Sequence, residues 1–190
     1  MAKKELFLIV GLGNPGKEFR DTYHNIGYLI LQNIIDNQHE NWNNQKNING
    51  KVCKLKLENN QEIIFLLPET FMNKSGQAVQ TAIRYWKIKP QNIIVIHDDS
   101  DIELGKIKIA KNQNSGGHKG IQNIIQMLKT KEFGRLKIGV RKQVPKRQKA
   151  ELFILKKISP KHKKELVKKG SDIIETWVKE GMEQTMNRFH

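Results

Sequence analysis

Apolar positions along this chain recur with two periods, one suited to strands and one to helices. Residues 5–10 form a short run rich in Leu, Ile and Val, closed by Gly11, which reads as a buried strand. Residues 11–23 read as a loop, after which Ile26, Leu29, Ile30, Ile34 and Ile35 follow helical spacing. An Asn-rich stretch, residues 37–50, reads as a surface connection. Val52, Leu55 and Leu57, then residues 63–67, flank Asn59-Asn60 and predict a hairpin. Residues 68–75 form another loop, and residues 77–86 a helix. Residues 92–96 predict a second buried strand running straight into a loop that opens with His97-Asp98-Asp99. An alternating strand at 106–110, a flexible loop at 112–120, a helix at 121–128 and a strand at 135–140 follow. Ser159-Pro160 suits the N-cap and first position of a C-terminal helical region reaching about Met186, with Gly170 its weak point. Strands alternating with helices, without repeat or linker, predict one α/β domain over residues 1–190. Its three layers would be a mixed, mostly parallel sheet with helices on both faces. Sites in such sheets form beyond the C-terminal strand ends, where the loops at 11–23, 68–75, 97–104 and 116–118 could converge.

Composition fits this picture and narrows the setting. With 190 residues, 37% of them hydrophobic and 7% aromatic, the chain can bury a core of ordinary size. One cysteine, Cys53, excludes an internal disulfide or a cysteine metal cluster, and its strand position favours a buried apolar role. The longest apolar runs fall far short of the roughly 20 residues of a membrane span, and the basic start lacks a secretory pattern. A soluble, cytoplasmic protein is expected.

The formal charge is +15. Only six of the 34 basic residues are Arg, a Lys- and Asn-rich usage that AT-rich codons also produce. Distribution says more: residues 1–128 carry a net +4, residues 129–149 a net +8 and residues 156–169 a net +6. Such clustering suits a polyanionic partner whose phosphates exchange counterions for lysines, although a solvated basic face would look similar.

Gly11-Leu12-Gly13-Asn14-Pro15-Gly16 matches a dinucleotide fingerprint, and Asp36 lies 20 residues beyond it. Helical periodicity nevertheless starts only near Ile26, and Pro15 removes a loop donor, so the glycines read as a tight turn presenting Asn14. His24, at a loop-to-helix junction, is a natural general base near neutral pH. Asp98, directly after a buried strand, could orient it and stabilise the imidazolium, with Asp99 and Asp101 competing for that role. Asn73 offers an amide to a carbonyl oxygen or a developing oxyanion. No serine elbow is present, and no local spacing makes His97, Asp98 and His118 a metal site. These residues describe a hydrolase without metal or cofactor, of unnamed substrate.

Four blocks together carry a specific resemblance: residues 10–16 with His24-Asn25-Ile26-Gly27, residues 70–76, His97-Asp98, and Gly116-Gly117-His118-Lys119-Gly120. In order, separation and total length the chain resembles bacterial peptidyl-tRNA hydrolase. The resemblance implies cleavage of the ester between a peptide, or an N-blocked amino acid, and the 3′-terminal ribose of tRNA. It implies His24 as the base activating water, Asp98 as its partner, Asn14 and Asn73 as substrate-positioning groups, and Met72 in the cleft wall. It also implies a monomer. The acceptor-stem phosphates would then meet Lys106, Lys108, Lys111, Lys137, Arg141 and Lys142, with Lys146 and Arg147 nearby. The family usually has Asn where this chain has Lys119; as a substrate contact, an ammonium donates but cannot accept. A catalytically silent RNA-binding protein and a nucleotide-binding protein are the other two classes the sequence admits.

Overall fold

The first apolar run becomes β1 (Glu5–Gly11), the middle of one seven-stranded sheet in a computed structural model that describes residues 5–57, 61–141 and 153–189. The remaining strands are β2 (Asn43–Gln45), β3 (Gly50–Lys56), β4 (Gln61–Pro68), β5 (Ile93–Glu103), β6 (Ile107–Lys111) and β7 (Gly134–Arg141), in the spatial order β2-β3-β4-β1-β5-β7-β6. Strands β4, β1, β5 and β7 run parallel, while β3, β2 and β6 are antiparallel additions at the two edges. The predicted mixed, mostly parallel sheet is therefore present. The turn of the β3–β4 hairpin, with Asn59-Asn60, lies outside the described residues.

Side chains alternate across each central strand and divide the core in two. Ile9, Ile94, Ile96, Leu136 and Ile138 pack beneath α1 (Ile26–Asn37) and α4 (Pro160–Glu180). Leu8, Val10, Ile93, Val95 and Phe133 pack on the other face, beneath α2 (Ser75–Trp86) and α3 (Lys119–Leu128). Helices thus cover both faces. Each fully buried Leu or Ile contributes about 1.5–3 kcal/mol relative to exposure.

Three local features differ from the sequence reading. The polar segment His97-Asp98-Asp99 does not begin a loop: β5 continues to Glu103, because β7 pairs with it at His97↔Lys137, Asp98↔Ile138 and Asp99↔Gly139 before a bulge. A three-residue edge strand, β2, interrupts the Asn-rich connection. At the C-terminus Ser159 caps α4 by accepting from the His162 N–H, as expected, but the helix runs unbroken through Gly170. A Cβ there would stand 2.4 Å from Ile30 Cδ1, so Gly170 permits close contact with α1. The interruption falls instead at Gly181, whose φ of 86° suits glycine, before α5 (Met182–Arg188).

The glycines after β1 have a similar explanation. Gly11 and Gly13 are not at positive φ. A Cβ at Gly11 would lie 2.5 Å from the Gly27 carbonyl oxygen, and one at Gly27 would lie 2.2 Å from the Ile96 oxygen. Two glycine-sized surfaces thus press the start of α1 against the ends of β1 and β5. That contact accounts for Gly11, and a φ of 114° at Gly16 suits the turn, so no phosphate cradle is needed to explain the motif; α1 begins only at Ile26.

Candidate active site

His24 sits in a 3-10 turn, Tyr23–Asn25, that leads into α1. The turn is held from outside: the N–H groups of Tyr23 and His24 donate to the carbonyls of Lys156 and Ile154, at 3.2 and 2.9 Å. Asp98 approaches from β5 on the face shared by Ile94 and Ile96, and is 2% exposed. Its Oδ1 lies 2.8 Å from His24 Nδ1. An ionised carboxylate only accepts, so His24 carries its proton on Nδ1 and its Nε2 bears the lone pair.

The same Asp98 oxygen lies 3.0 Å from His118 Nε2. His118 is the N-cap of α3, and its Nδ1 accepts the Ile121 N–H at 3.3 Å. That bond assigns the His118 proton to Nε2, the atom facing Asp98. Burial alone would raise the Asp98 pKa, but His24 and His118, by charge and hydrogen bonding, hold it well below the usual carboxylate range. Asp98 is therefore anionic between two imidazole donors.

Ligand atoms of His24, Asp98 and His118 lie within 4.8 Å of one another, a spacing a metal ion can use. The proton assignment argues for hydrogen bonding instead: a metal on His118 Nε2 would force a proton onto Nδ1, against the Ile121 N–H. His97, from the metal set weighed in the sequence, faces the opposite side of β5. Its Nδ1 donates to the Asp98 carbonyl at 2.7 Å, and its ring packs edge-on against His118 at 4.8 Å.

A cleft of about 1110 Å³ opens over these groups, and Asn14, Met72, Asn73 and Lys119 line it together with His24 and Asp98. Asn14 is fixed by three bonds. Its backbone N–H donates to Asn25 Oδ1 and its carbonyl accepts from Asn25 Nδ2, both at 2.9 Å, while its Oδ1 accepts the Met72 N–H at 2.8 Å. With Oδ1 holding the Met72 N–H, the Nδ2 donors of Asn14 are left without a protein partner among the described residues at the cleft wall. Met72 is buried at the start of a 3-10 turn, Met72–Lys74, that leaves Asn73 exposed on the wall.

The basic residues are less uniform. Lys108 and Lys111 are exposed on β6. Lys137, opposite Lys108 in the register, pairs with Asp99 at 2.8 Å. Lys106 pairs with Glu103 at 2.7 Å, and Arg141 donates to the Ser100 carbonyl at 2.7 Å with Asp101 beside it at 3.3 Å. Lys142, Lys146 and Arg147 lie outside the described residues. Of the competing acids, Asp99 is thus taken by Lys137, and Asp101 lies against Arg141.

In the sequence His118 entered only as a metal ligand that its spacing did not support, and Asn25 and the apolar wall of Phe71, Ile154 and Leu155 had no role. Phe71 and Leu155 are 57% and 50% exposed, and both line the cleft. Their exposure was invisible in the sequence. His118 could have been suspected from its own block, beside two glycines.

Comparison with known proteins gives the chain its family. The family model described as peptidyl-tRNA hydrolase matches residues 8–190. A peptidyl-tRNA hydrolase of Thermoanaerobacter sp. (strain X514) is 36% identical, the alignment covering 97% of this chain and 100% of that one. Another, from Elusimicrobium minutum (strain Pei191), is 38% identical over 96% and 98%. The crystal structure of peptidyl-tRNA hydrolase from Acinetobacter baumannii superimposes with a TM-score of 0.85 at 29% identity, covering 100% of this chain and 96% of that one.

Proposed function

From the premise that the chain belongs to the peptidyl-tRNA hydrolase family and acts as a peptidyl-tRNA hydrolase, we propose that it cleaves its ester by direct attack of a water activated by His24. The observation that carries this reading is the 2.8 Å bond from His24 Nδ1 to an anionic Asp98 at the cleft wall, which leaves Nε2 as the basic nitrogen. In this mechanism His24 Nε2 takes a proton from water as the hydroxide oxygen bonds to the ester carbonyl carbon. Asp98 stabilises the imidazolium. Amide N–H groups of Asn14 and Asn73 donate to the developing oxyanion, and collapse breaks the bond to the ribose oxygen, which receives the proton back from His24. An ester has a good enough leaving group for base and oxyanion support to suffice, so neither metal nor covalent intermediate is required.

The same reading assigns the phosphates of the acceptor stem to Lys108 and Lys111, with Lys106, Lys137, Arg141 and Lys142 as further contacts, and places Lys119 against the 3′ end. Phosphate contacts position without reading sequence, which suits an enzyme acting on many tRNAs. It takes the protein as a monomer working in the cytoplasm; among the described residues no helix is long and apolar enough to cross a membrane. The test is release of N-acetylamino acid from N-acetyl-aminoacyl-tRNA with chelator present, with the intact mass of the protein read after acid quench during turnover. Full activity with no acyl adduct on the protein is expected. Loss of activity to the chelator, or an added acyl mass, would contradict direct attack by water.

A further inference from the structure

Arg135 on β7 is among the largest fully buried side chains, 1% exposed, yet among the described residues no carboxylate pairs with it. Burial alone lowers its pKa. Its guanidinium donates through Nη1 to the Asn114 carbonyl at 2.8 Å and through Nη2 to the Gln113 carbonyl, while its Nε is buried without a partner. Burying a cation without a counter-charge is costly. Placing one beneath two loop carbonyls points to what the loop must do.

The loop has an unusual path. β6 runs antiparallel to β7, so its last residue, Lys111, ends beside Gly134 at the start of β7. Asp98 pairs with Ile138, four residues further along β7, about 13 Å away at the usual rise of a strand. The sequence reading treated the 116–118 loop as leaving a strand at the site. In the structure residues 112–117 must instead travel back along the sheet to deliver His118 to Asp98. Arg135 grips this return path midway. Beyond the grip Ser115 Oγ donates to Gln122 Oε1 at 2.8 Å, and the His118 N–H donates to the Ser115 carbonyl at 3.1 Å. Only Gly116 and Gly117 stay open, at positive φ with nothing within 4 Å of an added Cβ.

We propose that Arg135 is a positioning residue for the hydrolysis: by holding Gln113 and Asn114 it fixes the returning loop and seats His118 on Asp98. The proposal rests on the role given above to the Asp98–His24 pair. Arg135 stands away from the cleft and touches no reacting group; its effect passes through His118.

Arg135→Met separates this role from plain stability. It keeps volume, and both freed carbonyls belong to exposed residues, so water can replace the guanidinium as their donor. The melting temperature should therefore hold, while kcat for N-acetyl-aminoacyl-tRNA falls about 10-fold with little change in KM. In a His118→Ala background the same change should cost less than about 2-fold, since the linked group is gone. Full activity of Arg135→Met, or an equal loss with and without His118, would overturn the proposal. If Arg135→Met does not fold, Arg135→Lys retains the charge but not the planar fork. The His118 Nε2 proton, followed by NMR, should then exchange faster with solvent than in the wild type. An unchanged exchange rate would overturn the proposal, and because this signal needs no turnover, it stands apart from any failure of the His24 mechanism.

Discussion

Two histidines bond one oxygen of Asp98, while a third, His97, is turned to the other face of the same strand. Burial, and secondarily the charge of His118, lowers the pKa of His97 to about 3. In the unfolded chain this imidazole protonates near ~6.5. As pH falls between those values the unfolded state binds the extra proton, so His97 costs up to about 1.4 kcal/mol of stability per pH unit. Asp98, held below the carboxylate range, adds its own loss only below about pH 4. His97→Gln should keep a donor toward the Asp98 carbonyl and flatten the curve of urea-unfolding stability between pH 6.5 and 4. A slope as steep as the wild type's would contradict this. At this scale the sequence offered His24 and Asp98 because their residue types and junction positions are chemically suggestive. It could not show which of Asp98, Asp99 and Asp101 meets His24, since that depends on the pleat of β5 and on Lys137 occupying Asp99. Nor could it reveal Asn25, whose amide looks like any helix-start residue until it is seen clasping the Asn14 backbone at both ends.

The elements position those residues through close backbone contact. Gly27 lies three residues after His24, and a Cβ there would meet the Ile96 oxygen at 2.2 Å and the Leu12 nitrogen at 2.7 Å. Both are backbone atoms and cannot rotate away. Gly27→Ala should thus push α1 off the sheet, destabilise by about 1–3 kcal/mol as overpacked cores do, and reduce kcat by moving His24 from Asp98. A variant with wild-type melting temperature and kcat would show that α1 has slack there. Hydrophobic patterning marked α1 and the central strands because each buries a regular stripe or face, while α4 was legible from its Ser159-Pro160 cap. It missed the extension of β5, where paired acidic residues carry no apolar signal, and β2, which is polar and at an edge. Gly170 was misjudged for a related reason: only packing against Ile30 distinguishes a contact glycine from a helix break, and the break at Gly181 was not foreseen.

Across the whole molecule, a parallel sheet brings the ends of β1, β4 and β5 to one rim, and the return loop after β6 adds His118 there. The convergence of loops was legible from fold class. The backward course of the last loop was not, because the direction of β6 leaves no trace in its alternating pattern. Charge follows the same logic: clustering in sequence pointed to a polyanion, while the structure separates exposed Lys108 and Lys111 from Lys106, Lys137 and Arg141, which carboxylates or carbonyls engage. The account stands or falls on His24 as the base. The most direct measurement is single-turnover hydrolysis of N-acetyl-aminoacyl-tRNA by His24→Ala, alongside its affinity for the same tRNA. The account predicts a rate lower by about 10²–10⁴-fold, as expected for loss of a general base, with tRNA affinity retained. Hydrolysis at the wild-type rate would contradict it.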